Sequence, residues 1–382
     1  MTSPQISTNS VVVVGGGFGG LFSALAIRER LPERHVVLLE PNSNFIFQPL
    51  LYELLSGEMK SWEVAPRYRD LLASRQIIWL QELVSRIDLD AGCLDTEHGS
   101  RLGWGDLVLA TGMEPNDFGI PGVKHHAQGF RSLDDVAKLR KRIHLLRQQR
   151  QSDAALVIVG AGPTGVELAC KLSDLLEGAA VIHLVEMGEQ ILPRSRAFNR
   201  ARAEAALERR QVKLHLSTSV TAVTEDQVQL EGGTALRHDG LIWSAGSRPS
   251  LPPLQPESEV NRRGISITAD LRVSGQTHVF AIGDTAHHAE APWPGTAQVA
   301  MQQGEAIAAA LAAMATGNDP EPFQFQDRGE MLSLGIGDAT LTGLGVTLAG
   351  PLAFKLRRAT YLTRQPGLSL GLRSAGAWLL NR

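Results

Sequence analysis

Val11–Gly20 reads VVVVGGGFGG, four β-branched residues followed directly by the pattern GxGxxG. Leu156–Gly165 reads LVIVGAGPTG and repeats the same combination later in the chain. In such a motif the first glycine allows a tight turn, the second lets the backbone approach a pyrophosphate, and the third lets the helix pack on the strand. Each motif leads to a second apolar strand that ends in an acid, Glu40 and Glu186 respectively. The sequence therefore predicts two βαβ units that each bind a dinucleotide.

The chemistry of a dinucleotide explains these residue types. A pyrophosphate binds the free N–H groups at the start of the helix, and the acid accepts hydrogen bonds from the adenosine ribose. A single GxGxxG also occurs in ordinary turns, but two complete strand–turn–helix–strand–acid units in one chain are much more specific. Two bound dinucleotides indicate that electrons pass between them, so the pattern predicts an oxidoreductase of the α/β class.

Length and composition set further limits. A chain of 382 residues is long enough for two or three domains, and its net charge of −3 gives no reason to expect a nucleic-acid partner. The two cysteines, Cys93 and Cys170, have neither metal-binding nor redox spacing, which favours a reducing compartment and predicts no metal. The polar start of the chain does not resemble a secretory signal, and no apolar run is long enough to span a bilayer.

A third motif suggests how the chain divides into domains. Thr277–Asp284 reads THVFAIGD, an apolar strand that ends in Gly-Asp, and it is interpreted as a return to the first domain. The predicted division has a discontinuous first domain at 9–118 and 264–321, a second domain at 119–263, and a C-terminal region at 322–382. The predicted fold class is thus two Rossmann-like dinucleotide-binding domains plus a small C-terminal part.

Together these motifs resemble the flavoproteins with a glutathione-reductase-like fold. The resemblance implies FAD on the first glycine turn and on Gly283-Asp284, and NADH or NADPH on the second glycine turn. Disulfide reductases of this fold need a cysteine pair beside the flavin, whereas the corresponding segment Phe47–Tyr52 reads FQPLLY. Because disulfide exchange needs accessible thiols, it is excluded as the main chemistry.

Within this fold the chain resembles the type II NAD(P)H dehydrogenases, single-chain flavoenzymes that reduce membrane quinones without pumping protons. The resemblance rests on FIFQPLLYE at Phe45–Glu53, GAGPTGVELA at Gly160–Ala169 and AQVAMQ at Ala297–Gln302. It implies that Glu167 lies near the reacting rings and that Gln298 and Gln302 bind the quinone. These glutamines are spaced i, i+4 and share one helical face; the alternative is two solvent-facing glutamines.

The resemblance gives a full set of candidate site residues. The predicted catalytic residues are Glu167, Gln298 and Gln302. The predicted cofactor-binding residues are Gly15, Gly17, Phe18, Gly19, Gly20, Glu40, Gln48, Pro49, Ala110, Thr111, Gly112, Gly283 and Asp284, together with Gly160, Gly162, Pro163, Thr164, Gly165, Glu186, Ala245 and Gly246.

Coenzyme and quinone preferences are less constrained. The carboxylate of Glu186 favours NADH because it repels a 2′-phosphate, while the nearby Arg194 and Arg196 keep NADPH open. The segments 54–58, 62–66 and 327–331 resemble the branch found in oxygenic photosynthetic lineages, which is implicated in reducing demethylphylloquinone for vitamin K1 synthesis. Plastoquinone is the alternative acceptor. Glu167, Tyr52 and solvent are the alternative proton donors to the quinol.

The end of the chain has an unusual charge pattern. From Ala339 onward there is no acidic residue, and the basic residues are Lys355, Arg357, Arg358, Arg364, Arg373 and Arg382. Apolar residues recur at helical spacing beside them, namely Leu352, Leu356 and Ala359, then Leu368, Leu372, Ala375 and Leu379. This pattern predicts helices lying on an anionic membrane surface, at the cytoplasmic side of a thylakoid or plasma membrane. The alternatives are a helix packed on the protein or a homodimer contact.

Two other functions share both dinucleotide sites. One is a soluble flavoprotein reductase of a small protein electron carrier such as a ferredoxin, which would need neither the glutamine pair nor the basic tail. The other is a flavoprotein that senses NADH and signals through a partner surface.

Overall fold

The computed structural model describes residues 9–256, 260–290 and 292–380, except for the side chains of residues 368, 369, 379 and 380. Backbone contacts divide the described chain into two compact units. The first unit holds residues 9–45, 66–114 and 247–326, and the second holds residues 46–65, 115–246 and 327–380. Residues 46–65, predicted within the first domain, therefore cluster with the second unit, as do the residues from 327 onward. Residues 247–256 and 260–263, predicted within the second domain, cluster with the first unit. Which unit binds which dinucleotide stays a prediction.

The first unit is organised around a five-stranded parallel sheet. Its first strand lies in the middle and is fully buried, as expected for a parallel sheet covered on both faces. In spatial order the strands are Val279–Ala281, Asp106–Leu109, Ser10–Val14, His35–Leu39 and Ile77–Leu80. Helices Phe18–Arg30 and Ala297–Ala315 pack so closely that a Cβ added at Gly304 would lie only 2.9 Å from the nitrogen of Ser23.

Smaller elements complete the first unit. A four-stranded sheet contains Leu254–Gln255, Val84–Asp88, Cys93–Thr96 and Arg101–Gly103. A three-stranded sheet contains Val260–Asn261, Gly264–Ser266 and Ala286–His287. The short helices are Tyr68–Leu72 and the 3₁₀ turn Gly283–Thr285. Met113–Pro115 pairs with Ser247–Pro249 where the chain leaves and re-enters the unit.

The second unit repeats the plan of the first. Its five-stranded parallel sheet contains, in spatial order, Lys213–His215, Val181–Val185, Ala155–Val159, Leu241–Trp243 and Ala127–Gln128. Two antiparallel three-stranded sheets contain Val220–Val223, Gln227–Leu230 and Ala235–Arg237, and Glu330–Ser333, Ala339–Gly343 and Val346–Ala349. Its helices are Gln48–Leu50 (3₁₀), Leu51–Ser56, Ser61–Val64, Val123–His126, Leu133–Gln149, Pro163–Leu176, Ala197–Arg209, Pro351–Thr363 and Leu368–Leu380.

Both sheets place equivalent strands side by side. In each, the strand before the glycine turn is flanked on one side by the strand that ends in the acid. On its other side lies a strand that ends in a turn of small residues, 110–112 in the first unit and 244–246 in the second. This is the arrangement of a Rossmann-like βαβ unit. The predicted fold class, two such units in one chain, is confirmed.

The C-terminal segment forms the two helices expected from its pattern, Pro351–Thr363 and Leu368–Leu380. Of the helices within the described residues, none combines the length and the apolar character needed to cross a bilayer.

Candidate functional site

The first glycine turn has the geometry that a dinucleotide requires. Gly15 has φ +96°, and a Cβ there would lie 2.5 Å from the carbonyl oxygen of Ala110. A Cβ on Gly20 would lie 1.7 Å from the carbonyl oxygen of Gly15, so only glycine lets this helix approach the strand. Gly17, at the N-terminus of the helix, would point a Cβ into open space. The helix end is therefore accessible to a pyrophosphate.

The second glycine turn reproduces these features. Gly160 has φ +99°, and a Cβ there would lie 2.9 Å from the nitrogen of Ala245. A Cβ on Gly165 would lie 1.8 Å from the carbonyl oxygen of Gly160, whereas one on Gly162 would meet nothing within 4 Å. Pro163 and Thr164 begin the following helix. Both turns therefore fit the pyrophosphate of a dinucleotide.

The two acids are held in the same way. The carboxylate of Glu40 accepts hydrogen bonds from the backbone N–H groups of Gly16 at 2.7 Å and Asn42 at 2.8 Å. Glu186 accepts matching bonds at 2.7 Å and 2.8 Å from the corresponding residues, Ala161 and Gly188. Each carboxylate is thus fixed beside its glycine turn, where the ribose of a dinucleotide would bind.

The Gly-Asp turn lies at the same sheet edge as the first glycine turn. Gly283 has φ +64°, and its N–H donates a 2.6 Å hydrogen bond to the side chain of Gln303, which is buried. The hydroxyl of Thr285 accepts a 2.5 Å bond from the N–H of Gly112, which joins this turn to the predicted segment 110–112. Asp284 is exposed beside them. Sequence reasoning missed Gln303, because the pattern does not reveal which helix face is buried.

Four more of the predicted cofactor-binding residues can be placed in the structure. The ring of Phe18 packs edge-on against Phe45 with centroids 5.2 Å apart, and Gly19 approaches Ile282 closely enough that a Cβ would lie 3.1 Å from its side chain. Gln48 and Pro49 form the 3₁₀ turn of the second unit.

The predicted quinone ligands lie on helix Ala297–Ala315 of the first unit. Both Gln298 and Gln302 are half-buried. The side chain of Gln302 binds the backbone of Gln326 at two points, since its Nε2 donates to the carbonyl at 2.9 Å and its Oε1 accepts from the N–H at 3.0 Å. The amide of Gln302 therefore already holds a segment of its own chain, and the quinone role of both glutamines stays a prediction.

Glu167 occupies a buried position in the second unit. It is 6% exposed on helix Pro163–Leu176, and its Oε1 accepts a 2.6 Å hydrogen bond from the N–H of Ser333. The hydroxyl of Tyr52 also donates to this carboxylate and accepts a bond from Thr164. Burial raises the pKa of Glu167 to about 7, although the nearby Arg357 and the Ser333 N–H lower it. This carboxyl can therefore hold or release a proton near neutral pH.

A buried ion pair lies beside the carboxyl of Glu167. Nη1 of Arg357 lies 2.5 Å from the carboxylate of Glu53, and both side chains are almost completely buried. Nη2 of Arg357 donates to the carbonyl of Pro49 at 2.7 Å and lies 3.7 Å from the carboxylate of Glu167. The guanidinium also lies 4.9 Å from the ring centre of Tyr361.

This location corrects one sequence-based expectation. The sequence pattern places Arg357 among the basic residues of a lipid-facing tail, but in the structure it is 1% exposed. Arg358 is half-buried, and its guanidinium lies 5.3 Å from the ring centre of Trp378. The pattern failed here because a basic residue at a helical position can also pair with an acid in the core. The predicted side chains of Leu368 and Leu379 lie outside the described residues.

The described residues contain no group of three or more histidine, cysteine, aspartate or glutamate side chains that could hold a metal ion.

The chain is similar to known flavoenzymes along almost its whole length. The family model for pyridine nucleotide-disulphide oxidoreductases matches residues 9–304. Demethylphylloquinone reductase NdbB of Synechocystis sp. is 37% identical, and the match covers 97% of this chain and 98% of that protein. The type II NADH:quinone oxidoreductase Ndh of Mycobacterium tuberculosis is 30% identical over 96% of this chain and 87% of its own. A solved structure of NDH2 from Plasmodium falciparum in complex with NADH shares the fold, with a TM-score of 0.86, 17% identity and 98% coverage of both chains.

The duplicated glycine turns on parallel sheets thus define a flavoprotein with two dinucleotide-binding units, a member of the pyridine nucleotide-disulphide oxidoreductase family. Within that family the chain belongs to the type II NAD(P)H:quinone oxidoreductases. The predicted enzyme class, the FAD cofactor, the NAD(P)H donor and the quinone acceptor are confirmed.

Proposed function

We propose that this protein reduces a prenylated naphthoquinone of the demethylphylloquinone type at a membrane surface. The name of the Synechocystis relative, 37% identical over nearly the full length, supports this ring class. The structural observation that carries the proposal is the buried carboxyl of Glu167 with a pKa of about 7. A quinone takes up protons when it becomes a quinol, and a general acid works best when its pKa lies near the operating pH.

In this proposal the first unit binds FAD and the second unit binds NAD(P)H. When bound, FAD accepts a hydride from NAD(P)H and passes two electrons to the quinone. The turn Gly15–Gly20 and the turn at Gly283 and Asp284 hold FAD in the first unit. The turn Gly160–Gly165 and Glu186 hold NAD(P)H in the second.

In this proposal Glu167 supplies a proton to the quinone as it is reduced to the quinol. Below about pH 7 its carboxyl is protonated and able to donate. Tyr52 and Thr164 continue the hydrogen-bonded chain from this carboxyl to the start of helix Pro163–Leu176. Gln298 and Gln302 bind the quinone; Gln302 must first exchange its contacts with Gln326 for the quinone carbonyl.

Steady-state kinetics test the acceptor. The FAD-loaded protein should oxidise NADH with a short-chain naphthoquinone at a kcat/KM about tenfold above that with a short-chain benzoquinone, a difference of about 1.4 kcal/mol in transition-state binding. NADPH is measured beside NADH as the donor. Turnover with ferricyanide in place of a quinone measures the flavin reaction without the quinone step. A benzoquinone preference would indicate plastoquinone instead. Turnover with ferricyanide only would contradict the proposal and favour a protein acceptor.

We expect Glu186→Gln to shift the coenzyme preference toward NADPH by about tenfold in kcat/KM. The carboxylate repels the 2′-phosphate of NADPH, and removing one charge at close range changes the interaction by about 1 to 2 kcal/mol. Ala161 and Gly188 bind different carboxylate oxygens, so the amide keeps an acceptor for only one of these two backbone N–H groups, and the control must lose the same bond. Glu40→Gln is the matched control, since its carboxylate has the same contacts in the first unit. An equal shift in both variants, or none in Glu186→Gln, would refute this assignment.

We also propose that the second unit attaches to an anionic membrane surface. Leu344 at the tip of the hairpin 339–349 is 84% exposed, and Leu352 and Leu372 on the following helices are 58% and 71% exposed. Lys355 is exposed near Leu352. Apolar side chains flanked by basic ones suit an interfacial site, since apolar burial and attraction to anionic lipids act together.

Vesicle binding tests this surface. Leu344→Ser combined with Leu352→Ser should lower co-sedimentation with vesicles that contain phosphatidylglycerol by at least about tenfold, since inserting each leucine contributes about 1.5 to 3 kcal/mol. The control is Leu145→Ser, an exposed leucine on helix Leu133–Gln149. If the double variant binds vesicles normally but dissociates a dimer in ultracentrifugation, the surface is a homodimer contact.

A further inference from the structure

Phe118 has an unusual combination of exposure and backbone conformation. Its φ is +53°, in the left-handed region, and the residue is 59% exposed. Bulky residues rarely adopt this conformation, and those that do cluster at active sites and ligand clamps. The exposed ring of Phe118 is therefore a candidate for contact with a ligand.

Asn116 fixes the loop that carries this ring. Its side-chain oxygen accepts a 2.9 Å hydrogen bond from the N–H of Phe118. Its backbone carbonyl accepts a 2.9 Å bond from the indole N–H of Trp243, and its N–H donates to the carbonyl of Gly246 at 3.4 Å. The ring consequently lies directly over Gly246, where an added Cβ would be 2.2 Å from Cζ of Phe118. The loop is thus attached to the turn 244–246.

The strand order assigns this turn to one half of the coenzyme. Glu186 follows the strand on one side of Ala155–Val159, and the turn 244–246 follows the strand on the other side. In such a unit the acid binds the adenosine ribose and the pyrophosphate lies on the glycine turn. The rest of the dinucleotide must then extend toward the turn 244–246.

We propose that the ring of Phe118 packs against the nicotinamide half of NAD(P)H and helps to orient it on the second unit. This inference rests on the proposed NAD(P)H site of that unit. Gly246 has φ +68°, which favours glycine, and the ring also occupies the space that a side chain there would fill. The face of an aromatic ring also attracts a cation, so Phe118 binds the positively charged nicotinamide of NAD⁺ as well as the neutral ring of NADH.

The test is a binding titration of the full-length, FAD-loaded protein in its oxidised state. NAD⁺ and ADP-ribose are the two probes, because ADP-ribose keeps the adenosine half and lacks the nicotinamide. Phe118→Ala should raise the Kd for NAD⁺ by about 3- to 10-fold and leave the Kd for ADP-ribose unchanged. Phe118→Tyr should bind NAD⁺ like the unaltered protein, and Phe118→Leu should be intermediate. Leu145→Ala controls for the loss of an exposed apolar side chain.

Three outcomes would overturn the inference. Unchanged NAD⁺ affinity in Phe118→Ala would mean that the ring does not contact the coenzyme. Equal losses for NAD⁺ and ADP-ribose would mean that the ring acts on the adenosine half or only on the fold. If the unaltered protein binds neither probe, the coenzyme assignment fails, and this result is distinct from a failure of the Phe118 contact alone.

Discussion

Replacing Glu167 with glutamine is expected to lower kcat for quinone reduction by about 10²- to 10⁴-fold, the usual contribution of a positioned general acid. Glutamine has nearly the same shape and can still accept the N–H of Ser333, but it cannot give up a proton. Reduction of the enzyme by NADH involves hydride transfer and needs no such acid, so stopped-flow measurement of that step should show a much smaller change.

The pH dependence supplies a second measurement. Because the pKa of Glu167 is raised from 4.5 to about 7, kcat should fall as the pH rises through about 7, and the glutamine variant should lack this titration. The titration of Glu167 should also appear in the pH dependence of the free energy of unfolding. Between about pH 4.5 and 7 the folded state keeps a proton that the unfolded chain has lost, so the free energy of unfolding decreases by about 1.4 kcal/mol per pH unit in this window. Above this window the glutamine variant should be the more stable protein.

Glu177→Gln is the matched control for Glu167→Gln. It changes an exposed carboxylate just after the same helix, and it should leave both the rate and the pH profile unaltered. Retention of the titration near pH 7 in Glu167→Gln would assign that pKa, and the proton transfer, to another group.

Arg357→Met should destabilise the protein by about 3 to 5 kcal/mol, because it leaves the carboxylate of Glu53 buried without its partner. Chemical denaturation at pH 7 measures this loss. The positive charge of Arg357 also lowers the pKa of Glu167, so its removal should raise that pKa and move the fall in kcat to higher pH. One substitution therefore changes both the stability and the proton-transfer profile.

Two further variants separate these effects. Arg357→Met combined with Glu53→Met replaces the ion pair with apolar side chains and should recover most of the lost stability, since buried pairs contribute little net stability over well-packed apolar residues. Lys355→Met, at an exposed position on the same helix, should be neutral in denaturation. A double variant as unstable as Arg357→Met would show that the pair acts through packing rather than through its charges.

The parts of the site that the sequence predicted depend on local backbone requirements. Gly15 and Gly160 have φ values of +96° and +99°, and Gly20 and Gly165 have no space for a Cβ. These constraints act within a few residues, so a short motif contains them completely. The acids Glu40 and Glu186 could be identified for the same reason, since each follows its strand at a fixed position in the unit.

The parts that the sequence did not predict depend on distant partners. Glu53 and Arg357 look like ordinary surface charges in their own segments, and only the packing of helix Pro351–Thr363 in the second unit brings them together. Gln303 differs from Gln302 by one position, yet it is buried and binds the N–H of Gly283. The burial of a particular helix face is decided by tertiary packing, which the spacing of the glutamines does not record.

The ion pair between Glu53 and Arg357 also constrains the order in which the protein can form. The two residues are 304 positions apart, and ribosomes add about 5 to 20 residues per second. Glu53 is therefore synthesised about 15 to 60 s before Arg357. During translation the segment with Glu53 must remain hydrated or be shielded by a chaperone. The first glycine turn and its parallel strands can begin to fold in that interval, whereas the buried pair in the second unit can form only after helix Pro351–Thr363 has been synthesised.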